Sequence, residues 1–141
     1  GPFDAAIGHS FGGMSLINAV ADGLKIDKLV TIGADNSIPE IFKYSVSKLK
    51  LKPVIAEKME DLFDQKYNAK LDSLSSEHKA AKINIPTLVI HDSEDKFVNV
   101  SSAVSIRHSL ENGELLMTNG LGHHKIFKNS FVIQRIIDYI K

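Results

Sequence analysis

The segment GHSFG, residues 8–12, places Ser10 between two glycines and directly after the apolar run from Phe3 to Ile7. A helix-like stretch, residues 11–22, follows it. This arrangement fits the G-x-S-x-G elbow, a tight turn between a strand and a helix that presents a serine hydroxyl for nucleophilic attack. Such a turn strains the serine backbone, and we expect a Cβ at Gly8 or Gly12 to collide with neighbouring backbone. Ser10 is therefore the candidate nucleophile.

A serine is a poor nucleophile near neutral pH, so it needs a base to take its proton and a carboxylate to orient that base. Two later segments could supply these groups. An apolar run leads into HDSED, residues 91–95, and another leads into GLGHH, residues 120–124. Because each segment follows the carboxyl end of a predicted strand, the side chains should meet at one edge of a parallel sheet. The candidate acids are Asp92 and Asp95, and the candidate bases are His123 and His124.

The composition bounds the class of protein. The chain has 141 residues, 43% of them hydrophobic and 24% charged, with a formal net charge of zero. This balance is typical of one globular domain and favours neither nucleic acid nor an acidic membrane surface as a partner. There is no cysteine, which excludes disulfides and thiolate chemistry. No apolar run approaches the roughly 20 residues of a membrane span, and a cytoplasmic location is compatible with these features.

Four short apolar runs are predicted to be strands, and helical patterns alternate with them. Three of the runs are near-continuous, as in parallel strands covered on both faces. We therefore predict an α/β fold, with a four-stranded parallel sheet in sequence order and helices on both faces. A helix over residues 101–111 should end near Gly113. The predicted strands are residues 3–7, 28–33, 87–91 and 114–118, and the predicted flanking helices are residues 11–22, 101–111 and from 129 onward.

The segment 37–85 between the second and third strands contains no strand signal. Its apolar residues recur at helical spacing, and Pro53 lies at a first-turn position. We predict two or three amphipathic helices. Such an insertion would lie over the carboxyl ends of the strands, either as a plain surface layer or as a lid that shapes a substrate pocket.

With these loops in place, the chain resembles the carboxyl-terminal part of an α/β-hydrolase-fold serine hydrolase, starting at the nucleophile elbow. Residues 85–98, IPTLVIHDSEDKFV, resemble the acid strand of that family, where an apolar run, a small residue and two variable residues precede the catalytic aspartate. The resemblance implies Asp95 as the acid and places Asp92 where glycine is common. Residues 120–126, GLGHHKI, resemble the histidine loop, which implies His123 as the base. The order Ser10, Asp95, His123 agrees with the order of that family.

The resemblance implies hydrolysis of a carboxylic ester, thioester or similar acyl substrate through an acyl-enzyme, without a cofactor. The family usually places about four strands and a glycine-containing loop before the elbow, and that loop gives one of two oxyanion-hole amides. Here the Phe11 amide is the one predicted donor. Losing a donor costs on the order of 3–4 kcal/mol of transition-state stabilisation. We therefore expect residues 1–141 to form a single truncated domain that is weakly active or inactive, and that forms a homodimer through its first strand or helix.

Other interpretations of these residues remain. Asp92 could be the acid or could cap its loop, and His124 is the alternative base. His9 is predicted to wall the elbow, and His78 and His108 to lie on helix surfaces. The histidines of the two loops could bind a metal, but neighbouring residues at a strand end point apart and chelate poorly. The second functional class is a non-catalytic interaction module that needs a partner for the missing half.

Overall fold

A computed structural model describes residues 3–141 and contains one sheet of four parallel strands in the order β1-β2-β3-β4. Ile7 of the first strand lies opposite Val30 of the second, and Ile90 of the third lies opposite Leu116 of the fourth. The predicted strand order and parallel direction are confirmed. The strands are β1 (Ala5–His9), β2 (Lys28–Ile32), β3 (Thr87–Asp92) and β4 (Gly113–Thr118).

The two central strands, β2 and β3, carry apolar side chains on both faces. On one face, Leu29 and Val89 belong to a buried cluster with residues of the helices that precede and follow them. On the other face, Val30, Leu88 and Ile90 belong to a second buried cluster. Burying each such side chain completely contributes about 1.5–3 kcal/mol relative to leaving it exposed. The sheet edge that carries the candidate residues is therefore anchored in a double-sided core.

Helices cover both faces of the sheet, as predicted. Asn129 caps the last helix, because its side-chain oxygen accepts the backbone N–H groups of Phe131 and Val132. That helix packs against the second cluster through Val132 and Ile136. The first face carries α1 (Phe11–Ala21), α4 (Ser76–Ala80) and α5 (Val100–Ser109), and the second carries α7 (Ser130–Ile140), which follows α6 (Gly122–Lys125) and a 3₁₀ turn at Ile126–Lys128.

Residues 37–85 contain helices and no strand, in agreement with the sequence prediction. Two helices that contact each other, α2 (Ile38–Lys48) and α3 (Val54–Tyr67), form a helical hairpin. A 3₁₀ turn at Leu71–Leu74 then leads to α4. Pro39 lies in the first turn of α2, and Pro53 directly precedes α3. Neither position requires a backbone N–H donor, which is why proline is accepted there. Within residues 3–141, none of the helices combines the length and the apolar character that crossing a bilayer requires.

The first strand and the region around Gly113 differ from the prediction by two or more residues, while the other strands and flanking helices agree to within one residue. The first strand covers Ala5–His9 rather than residues 3–7, and Ile7 is 49% exposed because β1 is an edge strand whose outer side is uncovered among the described residues. Helix α5 ends at Ser109, and Gly113 does not terminate it. Instead Gly113 opens β4 opposite Thr87, where a Cβ would lie 2.9 Å from the Cβ of Leu110.

Candidate active site

Ser10 lies on the turn between β1 and α1 in a backbone conformation that side chains rarely adopt. Its φ is 55° and its ψ is −127°. A non-glycine residue held in such a region costs about 1–3 kcal/mol, which the surrounding structure must offset. Part of that support is the hydrogen bond that the Ser10 N–H donates to the carbonyl of Ile32 on β2, 2.8 Å long. The turn exposes the hydroxyl above the carboxyl edge of the sheet.

Two glycines allow this turn: Gly8, as the sequence pattern predicts, and Gly13 instead of the predicted Gly12. A Cβ on Gly8 would lie 2.6 Å from the carbonyl oxygen of Gly12, closer than real contacts allow. A Cβ on Gly13 would lie 2.8 Å from the Cβ of Ala34, whereas one on Gly12 would meet nothing within 4 Å. The predicted collision is therefore wrong for Gly12. The first turn of α1 points Gly12 away from the sheet, and it is Gly13 that lies against the neighbouring strand.

His123 connects the serine to a carboxylate. It lies in α6, and its Nε2 is 3.0 Å from the Oγ of Ser10, while its Nδ1 is 2.6 Å from Oδ2 of Asp95. A carboxylate can only accept, so Nδ1 carries the proton and Nε2 offers its lone pair to the serine hydroxyl. The side chains of His123 and Asp95 are 4% and 1% exposed. The structure thus brings Ser10, Asp95 and His123 into one chain of hydrogen bonds.

Asp95 is held by its own loop and by a buried histidine beneath it. Its Oδ1 accepts the N–H groups of Phe97 and Val98 at 2.8 and 2.9 Å. The Nε2 of His91 donates to the carbonyl of Val98 at 3.1 Å and lies 3.7 Å from Oδ2 of Asp95. His91 is fully buried, and its Nδ1 has no partner among the described residues. The carboxylate is consequently oriented toward His123.

Gly33, just beyond β2, makes room for this pair. Its φ is +54°, and a Cβ there would lie 3.2 Å from Nδ1 of His123 and 3.4 Å from Oδ2 of Asp95. Any side chain would be strained by the backbone and would press on the two groups. The close approach lets the His123–Asp95 bond lie against the end of β2.

Asp92, the alternative acid of the sequence analysis, ties the acid loop to the histidine loop. Its carboxylate accepts the hydroxyl of Thr118 at 2.6 Å and the N–H groups of Leu121, Gly122 and Glu94 at 2.9–3.0 Å. Burial by itself would raise the pKa of Asp92, but these four hydrogen bonds outweigh it and hold the pKa below its usual value. Asp92 has no hydrogen bond to the side chain of His123, and it connects the loop after β3 to the loop after β4.

His9 binds the backbone of the histidine loop. Its Nε2 lies 2.9 Å from the carbonyl oxygen of His123, so it must carry a proton to donate there. The ring lies 4.7 Å from the His123 ring and 4.6 Å from that of Phe127, centre to centre. Burial lowers the pKa of His9, which favours its neutral form. His124 is exposed beside this cluster, and His78 and His108 are exposed on α4 and α5, where the sequence predicted surface positions.

The Phe11 amide lies at the amino end of α1, directly after Ser10. Among the described residues its N–H donates no hydrogen bond, as expected for a first-turn donor without a cap. The helix end also carries partial positive charge. This N–H is therefore available to a negatively charged oxygen beside Ser10.

A cavity of about 750 Å³ opens beside Ser10, between the helical hairpin and α5. Asp35 contributes a carboxylate to its wall, and burial raises the pKa of that group. Among residues 3–141, no group of three or more His, Cys, Asp or Glu side chains could hold a metal ion. The walls include Phe11, Asp35, Ile41, Tyr44, Phe97 and His124, together with several serine and asparagine side chains.

Comparison with solved structures identifies the fold. Rv0554 from Mycobacterium tuberculosis superposes with a TM-score of 0.68 at 14% identity, over 96% of this chain and 64% of that one. The meta-cleavage product hydrolase CumD from Pseudomonas fluorescens IP01 gives a TM-score of 0.62 at 19% identity, over 97% and 64%. The esterase domain of a Rhodothermus marinus protein gives 0.64 at 14%, over 98% and 61%. The chain has an α/β-hydrolase fold and spans 61–64% of the length of these structures.

The family follows from the sequence itself. The model of the α/β-hydrolase family described as TAP-like protein matches residues 65–141, more than half of the chain. The chain belongs to this family, and the membership supports a hydrolytic role in general. The match includes Asp95 and His123 and begins after Ser10. No curated protein matches the sequence.

Proposed function

We propose that the chain is a serine hydrolase segment that acts on a carboxylic ester, thioester or similar acyl substrate through an acyl-enzyme. Ser10 is the nucleophile, His123 the general base and Asp95 the acid. The observation that supports this most strongly is the continuous hydrogen-bonded chain from Ser10 Oγ through His123 to Asp95, 3.0 and 2.6 Å long. Such spacing is what proton transfer between a nucleophile and its base requires.

In the first half-reaction, Nε2 of His123 takes the hydroxyl proton while the Oγ of Ser10 bonds to the acyl carbon. The electron pair of the carbonyl moves to its oxygen, and the Phe11 N–H stabilises the negative charge. Asp95 stabilises the charged imidazole without taking its proton. His123 then returns the proton to the departing alcohol or thiol. Water repeats the steps on the acyl-enzyme and releases the acid.

The helical hairpin is the proposed lid of the substrate pocket. Ile41 and Tyr44 of α2 line the cavity beside Ser10, and Tyr44 lies 6.1 Å from the ring of Phe97, centre to centre. This aromatic and aliphatic part of the lining suits an apolar portion of the substrate, and the polar part of the lining suits its polar groups. A hairpin that moves away from Phe97 would open the cavity to solvent.

Covalent labelling tests the proposal without requiring turnover. An activated fluorophosphonate forms a bond from phosphorus to Ser10 Oγ with loss of fluoride, and peptide mass spectrometry locates it. We expect Ser10→Ala to abolish the label and His123→Ala to slow it at least about 100-fold, the lower end of general-base contributions. Ser101→Ala is the matched control, because Ser101 lines the same cavity and has no hydrogen bond to the side chain of His123.

Other outcomes separate the assignments. Unchanged labelling of His123→Ala together with loss in His124→Ala would show that the base is misassigned. A label that survives in Ser10→Ala refutes the nucleophile. A folded protein that no phosphonate labels favours the non-catalytic interaction module instead.

A further inference from the structure

The connection between α2 and α3, residues 47–54, presents lysine and leucine in alternation. The sequence reads KLKLKP over residues 48–53, and every residue from 47 to 54 is exposed. Leu49 is 69%, Leu51 49% and Val54 43% exposed. Single exposed leucines are ordinary, but several large apolar side chains at one projecting turn form a patch that indicates a binding surface. We call residues 47–54 the hairpin tip.

The hairpin tip is locally basic, although the chain as a whole has no net charge. Lys48, Lys50 and Lys52 have no carboxylate within salt-bridge distance, whereas lysines elsewhere in the described chain form such pairs. Between residues 43 and 58 there are five lysines and a single acidic residue, Glu57. The other carboxylates of α3 lie farther along the helix. The tip therefore carries a concentrated positive charge.

Hydrogen bonds fix the backbone of the tip, so its exposed side chains project from a defined turn. Helix α2 ends at Lys48, and Lys50, two residues beyond it, lies in the left-handed region at φ 54°. The N–H groups of Lys50 and Leu51 close the helix by donating to the carbonyls of Ser47 and Val46, both at 3.0 Å. This pair of backbone hydrogen bonds is a helix-ending motif. Beneath it, Leu51 lines an open concavity of about 420 Å³ with Val46, Pro53 and Ala56, rimmed by Lys43 and Lys50.

We infer that the hairpin tip docks on an anionic lipid membrane, with the lysines at the headgroups and the leucines in the interfacial layer. Stable peripheral binding needs two signals, and basic and apolar side chains supply them together here. A nucleic acid would match the lysines but would leave Leu49 and Leu51 in water. The tip lies on the surface of the bilayer and does not cross it. The inference does not depend on the chemistry of Ser10.

Tryptophan fluorescence tests the inference directly, because the chain contains no tryptophan. Leu49→Trp places a single reporter at the tip. We expect a blue shift and quenching by brominated lipid with phosphatidylcholine vesicles containing about 30 mol% phosphatidylserine, and neither with phosphatidylcholine alone. Raising the salt concentration should release the protein, because screening weakens the attraction.

Matched variants identify the residues responsible. Cosedimentation of the triple variant Lys48→Gln/Lys50→Gln/Lys52→Gln should show a vesicle partition coefficient about 100-fold lower, from roughly fivefold for each lysine. The control carries the same charge change at three other exposed lysines and should bind like wild type. It is Lys25→Gln/Lys82→Gln/Lys141→Gln.

Three results would overturn the inference. The first is no partition onto anionic vesicles at low salt, with circular dichroism showing a folded protein. The second is an equal loss of binding in the control. The third is a Leu49→Ser/Leu51→Ser variant that binds vesicles as wild type does, since that would indicate a general polyanion surface; tight binding to polyuridylate would then identify nucleic acid as the partner.

Discussion

Exchanging Gly8 and Gly12 for alanine, one at a time, should change stability in opposite directions. A Cβ on Gly8 would lie 2.6 Å from the carbonyl oxygen of Gly12 and 2.7 Å from the Cα of Gly13. Both contacts are backbone, so no side chain can turn aside and β1 must separate from α1. Overpacking of this kind costs about 2–4 kcal/mol. A Cβ on Gly12 meets nothing within 4 Å, and alanine in a helix should stabilise by about 0.4–1 kcal/mol.

Thermal denaturation followed by circular dichroism measures both variants against wild type. We expect Gly8→Ala to lower the melting temperature by about 10 °C and Gly12→Ala to raise it slightly. Phosphonate labelling provides a second measurement, because a shift of Ser10 by about 1 Å should slow labelling on the order of 100-fold in Gly8→Ala. A Gly8→Ala variant as stable as wild type, or less stable Gly12→Ala, would refute the reasoning.

Asp92→Asn should lower the free energy of unfolding by about 2–3 kcal/mol. Both carboxylate oxygens of Asp92 accept hydrogen bonds, whereas the asparagine amide has a single accepting oxygen and leaves a buried donor unpaired. Since the pKa of Asp92 is depressed in the folded state, the loss of stability in Asp92→Asn should be complete above the unfolded carboxyl pKa of about 3.9 and should shrink as the pH falls through the folded pKa. Identical unfolding curves for the variant and wild type at pH 7 would contradict this. His9→Phe should slow labelling about tenfold by freeing the carbonyl of His123, and His9→Gln should restore part of the rate. Light scattering should show a homodimer formed through the uncovered edge of β1, and a monomer at high concentration would count against it.

The fold was largely predictable because its signals are local. Continuous apolar runs at β2 and β3 indicate strands buried on both faces, and each lies in the double-sided core. The edge strand β1 was placed two residues early, because an apolar run does not say where pairing with β2 begins. Gly113 was misassigned as a helix terminator, since glycine is equally common at a strand start next to a crowded side chain.

The residues of the candidate site were predictable where a local sequence motif contains them. They were not predictable where their role depends on contacts between residues distant in the sequence. Ser10, Asp95 and His123 each follow a strand, and topology brings strand ends together. The connecting role of Asp92 depends on amides 29 and 30 residues away, which no local pattern encodes. The sequence offers His91 only as a possible metal ligand, although its position one residue before Asp92 in a buried run was an available signal for a structural role. The roles of His9 and Gly13 depend on contacts made only after α1 and α6 are in place.

The hydrogen bond between the side chains of Ser10 and His123 joins residues that are 113 positions apart in the sequence, at the carboxyl edge of the sheet. In a nascent chain leaving the ribosome, Ser10 emerges 113 residues before its proposed base. A hydroxyl activated by His123 can therefore form only after the four described strands have been made. A partly folded chain, or one that ends before His123, would contain Ser10 without this proposed base. Labelling at Ser10 is for the same reason a measure of complete folding.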